Sequence, residues 1–186
     1  MNTTAEKILD VAEIKTQMHG FNAFSYKDLQ AEVGVKTSSI HYYFPTKQDL
    51  AVAMTERYTQ RFQNNLADLG KRRCGLKQLN GLAELYLSAL KQGKFCLCGM
   101  LASDILSLSD LANTQLQIFF KSTENWITDA IQLAQQQDKV DQTLDSQLAA
   151  RVFFSTLEGA MLIARTRNDV GYFRKVVQQA ISYLSD

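Results

Sequence analysis

The chain has 186 residues, of which 46% are hydrophobic and 21% charged, a composition that supports a globular protein with a buried core. A net charge of +1 excludes a protein that binds nucleic acid through total charge alone. The N-terminal segment is charged, which excludes a signal peptide, and the sequence has no apolar run of about 18 residues, which excludes a transmembrane helix. Three cysteines, an odd number, do not fit a disulfide framework. We therefore expect a cytoplasmic protein without membrane contact.

One proline, and glycines that separate long stretches of apolar residues spaced three and four apart, predict an all-α protein. The first helix is expected over 4–19, with Gly20 as its left-handed C-terminal cap. Ser25, followed three residues later by an acid, has the form of a capping box and begins a short second helix that ends near Val33. Gly34 then provides a tight turn before the third helix.

Thr37 is a suitable N-cap for a third helix over 38–44, which Pro45 ends because the residue before a proline avoids helical geometry. Thr46 opens a long fourth helix through Leu69. Five more helices are predicted at 76–92, 97–107, 109–136, 143–166 and 169–184. About nine helices therefore form an N-terminal helix-turn-helix domain of three helices over 1–47 and a larger helical domain over 48–186.

The segment around the third predicted helix has the composition of a DNA-recognition helix. Two short helices joined by a glycine-containing turn form a helix-turn-helix, and the second helix must bring side chains to base edges and phosphates. Small hydroxyl residues allow close approach, and longer flat donors on the next turn can reach bases or sugars. Lys47 and the amides that begin the fourth helix could hold a phosphate. The residues expected to contact DNA on these grounds are Thr37, Ser38, Ser39, His41, Tyr42, Tyr43 and Lys47.

The charge of the N-terminal region argues against this interpretation. The first 50 residues carry five lysines and six acidic residues, so DNA binding has to depend on local geometry and not on total charge. The basic cluster Lys71-Arg72-Arg73 is interpreted as a solvated loop between helices.

The segment FNAFSYKDLQAEVGVKTSSIHYYFPTKQDL resembles the DNA-binding domain of the TetR/AcrR family of bacterial transcriptional regulators, over about residues 5–52. The shared pattern consists of Gly20-Phe21, Gly34-Val35, the aliphatic and aromatic residues of 40–44, and Pro45-Thr46-Lys47. The resemblance implies contact with DNA by Lys27 and Lys36 as well as by the residues named above. It also implies a small core that contains Phe21, Phe24, Leu29, Val33, Val35, Ile40 and Phe44.

The chain departs from the family pattern at two places. Lys15 and Thr16 stand where the family usually has leucine and then phenylalanine, and His41 stands where tyrosine is frequent. The resemblance further implies a repressor that a small-molecule effector releases from double-stranded operator DNA, with 48–186 as an effector-binding and dimerisation domain. The last two predicted helices are expected to pair with those of a second copy, so that a homodimer presents two recognition helices to a palindromic operator.

Several aromatic and aliphatic residues of the second half lie at helical spacing and could line an apolar effector pocket, although core packing is the simpler explanation for each. These residues are Phe62, Tyr86, Leu90, Phe119, Trp126, Phe153, Phe154 and Met161. Glu158 lies among apolar residues, so its carboxylate needs a partner or a ligand. A salt bridge to an arginine such as Arg165, or to a residue of a second chain, is the simpler explanation.

Cys96 and Cys98 allow three interpretations. They can be small buried hydrophobic residues, or thiolates that react with an electrophilic effector or an oxidant, which a helix N-terminus and the nearby Lys94 would favour. As metal ligands they would need another donor, and Cys74 and the two histidines are distant in the sequence, so we expect no metal and no cofactor.

An enzyme is disfavoured because the sequence has no glycine-rich phosphate loop, no Ser-His-Asp constellation and no metal-spaced histidine cluster. The alternative to a DNA-binding regulator is a helical ligand-binding or thiol-sensing protein without sequence-specific DNA binding. A DNA affinity that falls steeply with salt would distinguish the regulator from this alternative.

Overall fold

The computed structural model describes residues 3–185, and this part of the chain forms nine α-helices and no β-strand, which confirms the predicted all-α fold. Two 3₁₀ turns lie at Phe21–Ala23 and Ile105–Ser107. The helices are α1 (Thr4–His19), α2 (Tyr26–Val33), α3 (Thr37–Tyr43), α4 (Lys47–Gly70), α5 (Gly75–Lys91), α6 (Leu97–Ser103), α7 (Asp110–Gln136), α8 (Ser146–Arg167) and α9 (Val170–Ser182). The single helix predicted over 97–107 is therefore divided into α6 and the second 3₁₀ turn.

Three helices begin at capping boxes, in which a hydroxyl residue and an acid three positions later each accept a hydrogen bond from the other's backbone amide. The pairs are Thr3–Glu6 at α1, Ser25–Asp28 at α2 and Thr46–Asp49 at α4. The capping predicted for the second and fourth helices is confirmed. Each box satisfies two amides that a helix leaves unpaired, which fixes where the chain enters the helix.

Two of the predicted helix ends differ from the structure. Gly20 has a positive φ of 99°, but its ψ of 154° lies outside the left-handed helical region expected for it. Gly34 does adopt that region, with φ 75° and ψ 28°. The N-cap of α3 is Lys36 and not Thr37, which is the first residue of the helix and donates its backbone amide to the side chain of Gln30.

Contacts between residues divide the described chain into two compact units. Unit 1 contains residues 3–60 and 96–119, and unit 2 contains residues 61–95 and 120–185. The α6 helix therefore belongs to the same unit as the three N-terminal helices. The predicted boundary between a DNA-binding domain over 1–47 and an effector-binding and dimerisation domain over 48–186 stays a prediction. Residues 1, 2 and 186 of those ranges lie outside the described residues.

The core expected for the N-terminal helices is mostly buried. Its buried members are Phe21, Phe24, Leu29, Ile40 and Phe44. Val33 and Val35 are partly exposed, because they flank the surface turn at Gly34. At the departures from the family pattern, Thr16 is fully buried and donates to the carbonyl of Ala12 at 2.8 Å, and Lys15 forms an ion pair with Glu32 on α2.

Unit 2 is built around the packing of α8 on α9, with α5 against both. Its interior includes the buried Phe153, Leu157 and Phe173. Asp145 and Asp169 accept hydrogen bonds from the first-turn amides of α8 and α9 and so begin both helices. Within residues 3–185, no helix combines the length and the apolar character needed to cross a membrane.

Candidate DNA-binding interface

Helical spacing gives α3 a buried side and an exposed side. Ile40 and the following Phe44 are four residues apart and are both buried, so they anchor the helix to unit 1. Ser38 and Tyr42, also four apart, lie on the opposite side and are exposed. The local sequence therefore fixes which side chains α3 presents to solvent.

The exposed side of α3 is a surface of hydroxyl groups and tyrosine rings. Tyr42 is 80% exposed and Tyr43 is 42% exposed, and their rings meet edge-on at 5.1 Å. A shallow groove here is lined by Ser38, Ser39 and both tyrosines, together with Thr4 and Val35. A tyrosine of this exposure adds little to the core, so its position is available for contact with a partner.

Lys27 and Lys36, which the resemblance places at the DNA, are both exposed. No acidic residue lies between Val33 and Gln48, so the segment that contains α3 carries positive charge without a carboxylate of its own. This local balance differs from that of the first 50 residues as a whole.

The acidic residues of the first 50 are engaged inside unit 1. Three of them accept hydrogen bonds in capping boxes, where the helix N-terminus favours negative charge; the serine hydroxyl and amide of Ser25, for example, lower the pKa of Asp28. The other three form ion pairs with a lysine or an arginine. The capping acids are Glu6, Asp28 and Asp49, and the paired acids are Asp10, Glu13 and Glu32. Each of the six carboxylates therefore has a partner within unit 1, and none of them belongs to α3.

Thr37, a predicted DNA contact, is bound within the protein by Gln30 of α2. The Gln30 amide oxygen accepts from the Thr37 backbone amide at 3.0 Å and from the Thr37 hydroxyl. This side chain satisfies one of the unpaired amides at the start of α3, which the preceding Lys36 does not do. Gln30 therefore joins the two helices of the helix-turn-helix, and no spacing rule in the sequence indicated it.

His41, another predicted DNA contact, supports the turn between α3 and α4. Its Nδ1 lies 3.0 Å from the carbonyl oxygen of Pro45, and its ring packs on Tyr26 at 4.8 Å. A bond to a carbonyl requires a proton on Nδ1, which leaves Nε2 as the second ring nitrogen for a contact outside the protein. The Tyr26 hydroxyl lies 2.9 Å from the Phe44 carbonyl and 2.6 Å from the Thr46 carbonyl. Burial raises the pKa of Tyr26, so the hydroxyl keeps its proton and donates to this turn.

Lys47 points into unit 1 and not toward the exposed face of α3. Its ammonium nitrogen lies 2.6 Å from the Phe21 carbonyl and 2.5 Å from the Phe24 carbonyl, and it also lies over both phenylalanine rings. The side chain is partly buried, and burial lowers the pKa of Lys47. In the structure these contacts hold the ammonium group within the protein, and the predicted phosphate contact of Lys47 stays a prediction.

Gln48 ties the start of α4 to the connection between α6 and α7. Its amide nitrogen donates to the Ser107 carbonyl at 2.8 Å, and its amide oxygen accepts from the Ser109 backbone at 2.8 Å. Asn22 adds a bond to the Ser107 hydroxyl at 3.1 Å. These bonds join the connection between α6 and α7 to the N-terminal helices within unit 1.

Arg57 joins α4 to α1 through two carboxylates. Its guanidinium lies 2.7 Å from Asp10 and 3.2 Å from Glu13, and it also donates to the carbonyl of Glu6 at 3.3 Å. Asp10 and Glu13 are three residues apart on one face of α1, which is the signal that could have predicted this contact.

The residues predicted for an effector pocket fall into both units. Cys96, Cys98 and Phe119 belong to unit 1; Phe62, Tyr86, Leu90, Trp126, Phe153, Phe154, Glu158 and Met161 belong to unit 2. Most are buried, and Trp126 and Glu158 are partly exposed. Within unit 2 the structure brings three of them together: the Tyr86 hydroxyl donates to Glu158 at 2.9 Å, and the Tyr86 ring meets Phe62 edge-on at 6.2 Å. Tyr86 is thus one polar partner of Glu158, and the salt bridge to an arginine such as Arg165 stays a prediction.

The two cysteines near residue 97 are buried beside the start of α6. Cys96 is the N-cap residue of α6, and Cys98 lies in its first turn with no exposed surface. This burial agrees with the interpretation as small hydrophobic residues and restricts access by a reagent. The described part of the chain has no cluster of three or more histidine, cysteine or acidic residues that could hold a metal ion.

A second candidate site is an apolar groove of about 650 Å³ on α8 and α9, within unit 2. Its walls include Leu148, Val152, Phe153 and Tyr183. Leu148 is 57% exposed and Val152 is 60% exposed, although both are aliphatic. A contiguous exposed apolar surface of this kind marks an interaction site.

Comparison with known proteins identifies the family. The family model of bacterial regulatory proteins of the tetR family matches residues 8–54, and no match was found among curated proteins. A TetR transcriptional regulator from Legionella pneumophila is 30% identical, with 99% of this chain and 98% of that chain covered and a TM-score of 0.89. A TetR-family regulator from Agrobacterium tumefaciens is 28% identical over 98% of both chains, with a TM-score of 0.94.

The same fold extends to more distant structures. The reduced form of Escherichia coli NemR has a TM-score of 0.82 at 19% identity, with 96% of this chain and 95% of that chain covered. The match over the helix-turn-helix and the full-length similarity at 30% identity lead to one conclusion. The chain belongs to the TetR family of bacterial transcriptional regulators.

Proposed function

We propose that this regulator binds double-stranded operator DNA through the exposed side of α3 and represses transcription until a small-molecule effector releases it. The observation that carries the proposal is the chemistry of that side: serine hydroxyls and two exposed tyrosines lie on a helix whose opposite side is buried, in a segment without acids. Such a surface offers hydrogen bonds to a polyanion without repelling it. The protein acts by binding and not by catalysis.

The contacts divide by reach and chemistry. Ser38 and Ser39 are short and bring the α3 backbone close to phosphates, while Tyr42 and Tyr43 extend to bases or sugars. Lys27 and Lys36 neutralise phosphates on either side of the helix-turn-helix. Thr37 and His41 contribute through the orientation of α3, since their side chains are bonded to Gln30 and to the Pro45 turn. The His41 Nε2 atom can make a further contact with DNA.

The proposed regulator is a homodimer joined through the α8–α9 groove. A two-fold interface uses the same surface on both copies, so one exposed apolar groove can supply both sides. Leu148 and Val152 would lose their exposed area to the partner, which favours association. Such a dimer presents two α3 helices to the two half-sites of a palindromic operator.

The effector is proposed to bind the buried aromatic cluster of unit 2 around Tyr86. In this cluster the Tyr86 ring meets the Phe62 ring edge-on, and the Tyr86 hydroxyl donates to the Glu158 carboxylate. A small molecule with a large apolar body and one hydrogen-bond donor would match that composition. Since coupling is reciprocal, operator DNA should weaken effector binding by the same factor by which effector weakens DNA binding. Reaction of an electrophile at Cys96 or Cys98 is the alternative route of release.

Fluorescence anisotropy tests the proposal. The purified protein is titrated into labelled DNA from immediately upstream of its own gene, at two salt concentrations and with unrelated competitor DNA. Tight binding that resists the competitor and weakens with salt is expected, because several phosphate contacts release counterions. If binding is weak and the unrelated competitor displaces the protein from all of the upstream DNA tested, the alternative function is favoured, namely a helical ligand-binding protein without sequence-specific DNA binding.

A further inference from the structure

We propose that α8 pairs antiparallel with α8 of a second copy, along an exposed line of uncharged residues, and that Gly159 lets the two helices approach closely at its middle. This inference rests on the proposed homodimer and names the contact at the centre of its interface. The line, here called the α8 seam, recurs along the helix in alternate steps of four and three residues. Its members are Leu148, Val152, Ser155, Gly159, Leu162 and Thr166. Such spacing keeps one side of a helix against a second helix over several turns.

The α8 seam lies opposite the side of the helix that packs into unit 2. Leu157 is fully buried at the middle of the packed side. Leu148, Val152 and Leu162 in the seam are each more than half exposed, and Ile163 beside it is also exposed. Leu148 and Val152 line the apolar groove between α8 and α9, so the seam continues that groove along α8. The core of unit 2 therefore does not account for the apolar character of the seam.

The charged residues between the ends of the seam lie on a different side of α8. Arg151, Glu158 and Arg165 recur every seven residues, which places them together beside the seam and not in it. The Thr166 hydroxyl donates to the Ile163 carbonyl at 2.8 Å, so this polar group is already bonded within the helix. The seam is about 27 Å long and has no charge, so a second helix can cover it without leaving an ion unpaired.

Nothing within its own chain requires residue 159 to be glycine. Gly159 lies inside α8, and its φ is not positive. Apart from its neighbours in the chain and the backbone of the helix, no atom of the described residues lies within 4 Å of the position that a Cβ would take. Glycine is less favourable than alanine in a helix interior. Close approach of a second backbone is a use of glycine that offsets this cost.

The seam has the same spacing from either end, which identifies the partner as a second copy of α8. A two-fold axis at the middle of the seam makes the two helices antiparallel and pairs residues at equal distances from the axis. The pairs are Leu148 with Thr166, Val152 with Leu162, and Ser155 with Gly159. The smallest residues thus meet at the centre, where the helices are closest, and larger residues fill the space toward the ends.

Substitutions at Gly159 test the close approach. Gly159→Ala should raise the helix content and still weaken the dimer about fivefold, because the added methyl group meets the partner helix. Gly159→Leu should weaken the dimer by about tenfold to 100-fold. Ser88→Leu, at an exposed position of α5, is the control for an added leucine outside the seam and should leave the dimer intact. Analytical ultracentrifugation measures the dissociation constants, and circular dichroism measures the helix content.

The results distinguish this inference from the proposed function. If the wild-type protein is a dimer and both Gly159 variants dimerise equally well, the close approach at Gly159 is wrong. If the wild-type protein stays monomeric at every concentration, the proposed homodimer fails and the pairing of α8 fails with it. Anisotropy with operator DNA tests the proposed DNA binding separately.

Cross-linking tests the antiparallel pairing without adding bulk at the centre. In a Cys74→Ser background, Ser155→Cys places two thiols about four residues apart along the paired helices, or about 6 Å. A short bifunctional maleimide should therefore join the two copies. Gln147→Cys is the matched control on an exposed position of α8, where the two thiols would be about 30 Å apart along the helices. Equal cross-linking of both variants, or none with Ser155→Cys in a protein that is a dimer, would show that the two α8 helices do not pair in this way.

Discussion

The exposed side of α3 and the α8–α9 groove both present large side chains to solvent, but their chemistry differs. Tyr42 on α3 carries a hydroxyl group and lies beside serines, whereas Leu148 and Val152 in the groove are purely aliphatic. Hydroxyl groups can exchange hydrogen bonds with water for bonds with phosphates and bases. Aliphatic groups gain free energy only when they leave water. The comparison therefore points to nucleic acid for the first surface and to a second copy of the chain for the groove.

The largest expected effect comes from placing a charge in the groove. Val152→Glu should dissociate the proposed dimer, because each copy would bury a carboxylate without a partner, at a cost of several kcal/mol per ion. The dimer dissociation constant should rise by more than about 100-fold. Analytical ultracentrifugation over a range of concentrations measures it. Operator affinity should fall in parallel, since one α3 helix contacts only one half-site.

The control for that change adds the same charge elsewhere on unit 2. Asn125→Glu lies on an exposed position of α7 outside the groove and should leave the dimer intact. A dimer that survives Val152→Glu would show that this groove faces something other than a second copy.

The second largest effect is expected on the exposed side of α3. Tyr42→Ala should weaken operator binding by about 10- to 100-fold, the range expected for one contact with a base. The fold should be unaffected, because the side chain is 80% exposed. Anisotropy titration measures the affinity, and Tyr42→Phe separates the hydroxyl group from the ring. If Tyr42→Ala binds the operator with wild-type affinity, the surface that contacts the bases must lie on another part of the helix-turn-helix.

The two surfaces also differ in how well the sequence predicted them. The α3 surface depends on local spacing: Ile40 and Phe44 are buried, and Ser38 and Tyr42 are exposed, as helical periodicity requires. The groove depends on how α8 and α9 pack, so Leu148 and Val152 could not be distinguished in the sequence from buried neighbours such as Phe153.

Contacts between side chains distant in sequence explain the other differences. Lys47 has the charge of a phosphate ligand, but carbonyls more than twenty residues earlier bind it. Thr37 has the chemistry of an N-cap, but Gln30 provides the capping oxygen. In both cases a local rule identified a polar residue and could not identify the atoms that bind it within the protein, because those atoms come from another element of the fold.

A smaller effect is expected from the contact that holds α2 to α3. Gln30→Ala removes the acceptor for the Thr37 amide, and loss of a helix cap costs about 1 kcal/mol. If α3 must be ordered to bind, operator affinity should fall about fivefold. Gln30→Glu keeps an oxygen at this position and should retain most of the affinity. Equal losses in both variants would indicate that the amide group of Gln30, and not its oxygen, matters for binding.

The smallest effect concerns the thiols, which lie outside both surfaces. Cys96 and Cys98 are buried, whereas Cys74 is partly exposed, so brief treatment of the native protein with a maleimide should modify Cys74 first. Cys74→Ser should then label slowly in its native state and quickly in denaturant, and operator binding should survive the native treatment. Mass spectrometry of the intact chain counts the modified thiols. Fast reaction of Cys96 or Cys98 together with release of DNA would instead make these thiols the effector site. A reagent can reach the buried sulfur atoms only when α6 opens locally. Release of DNA on reaction would then show that the opening of α6 is coupled to DNA binding.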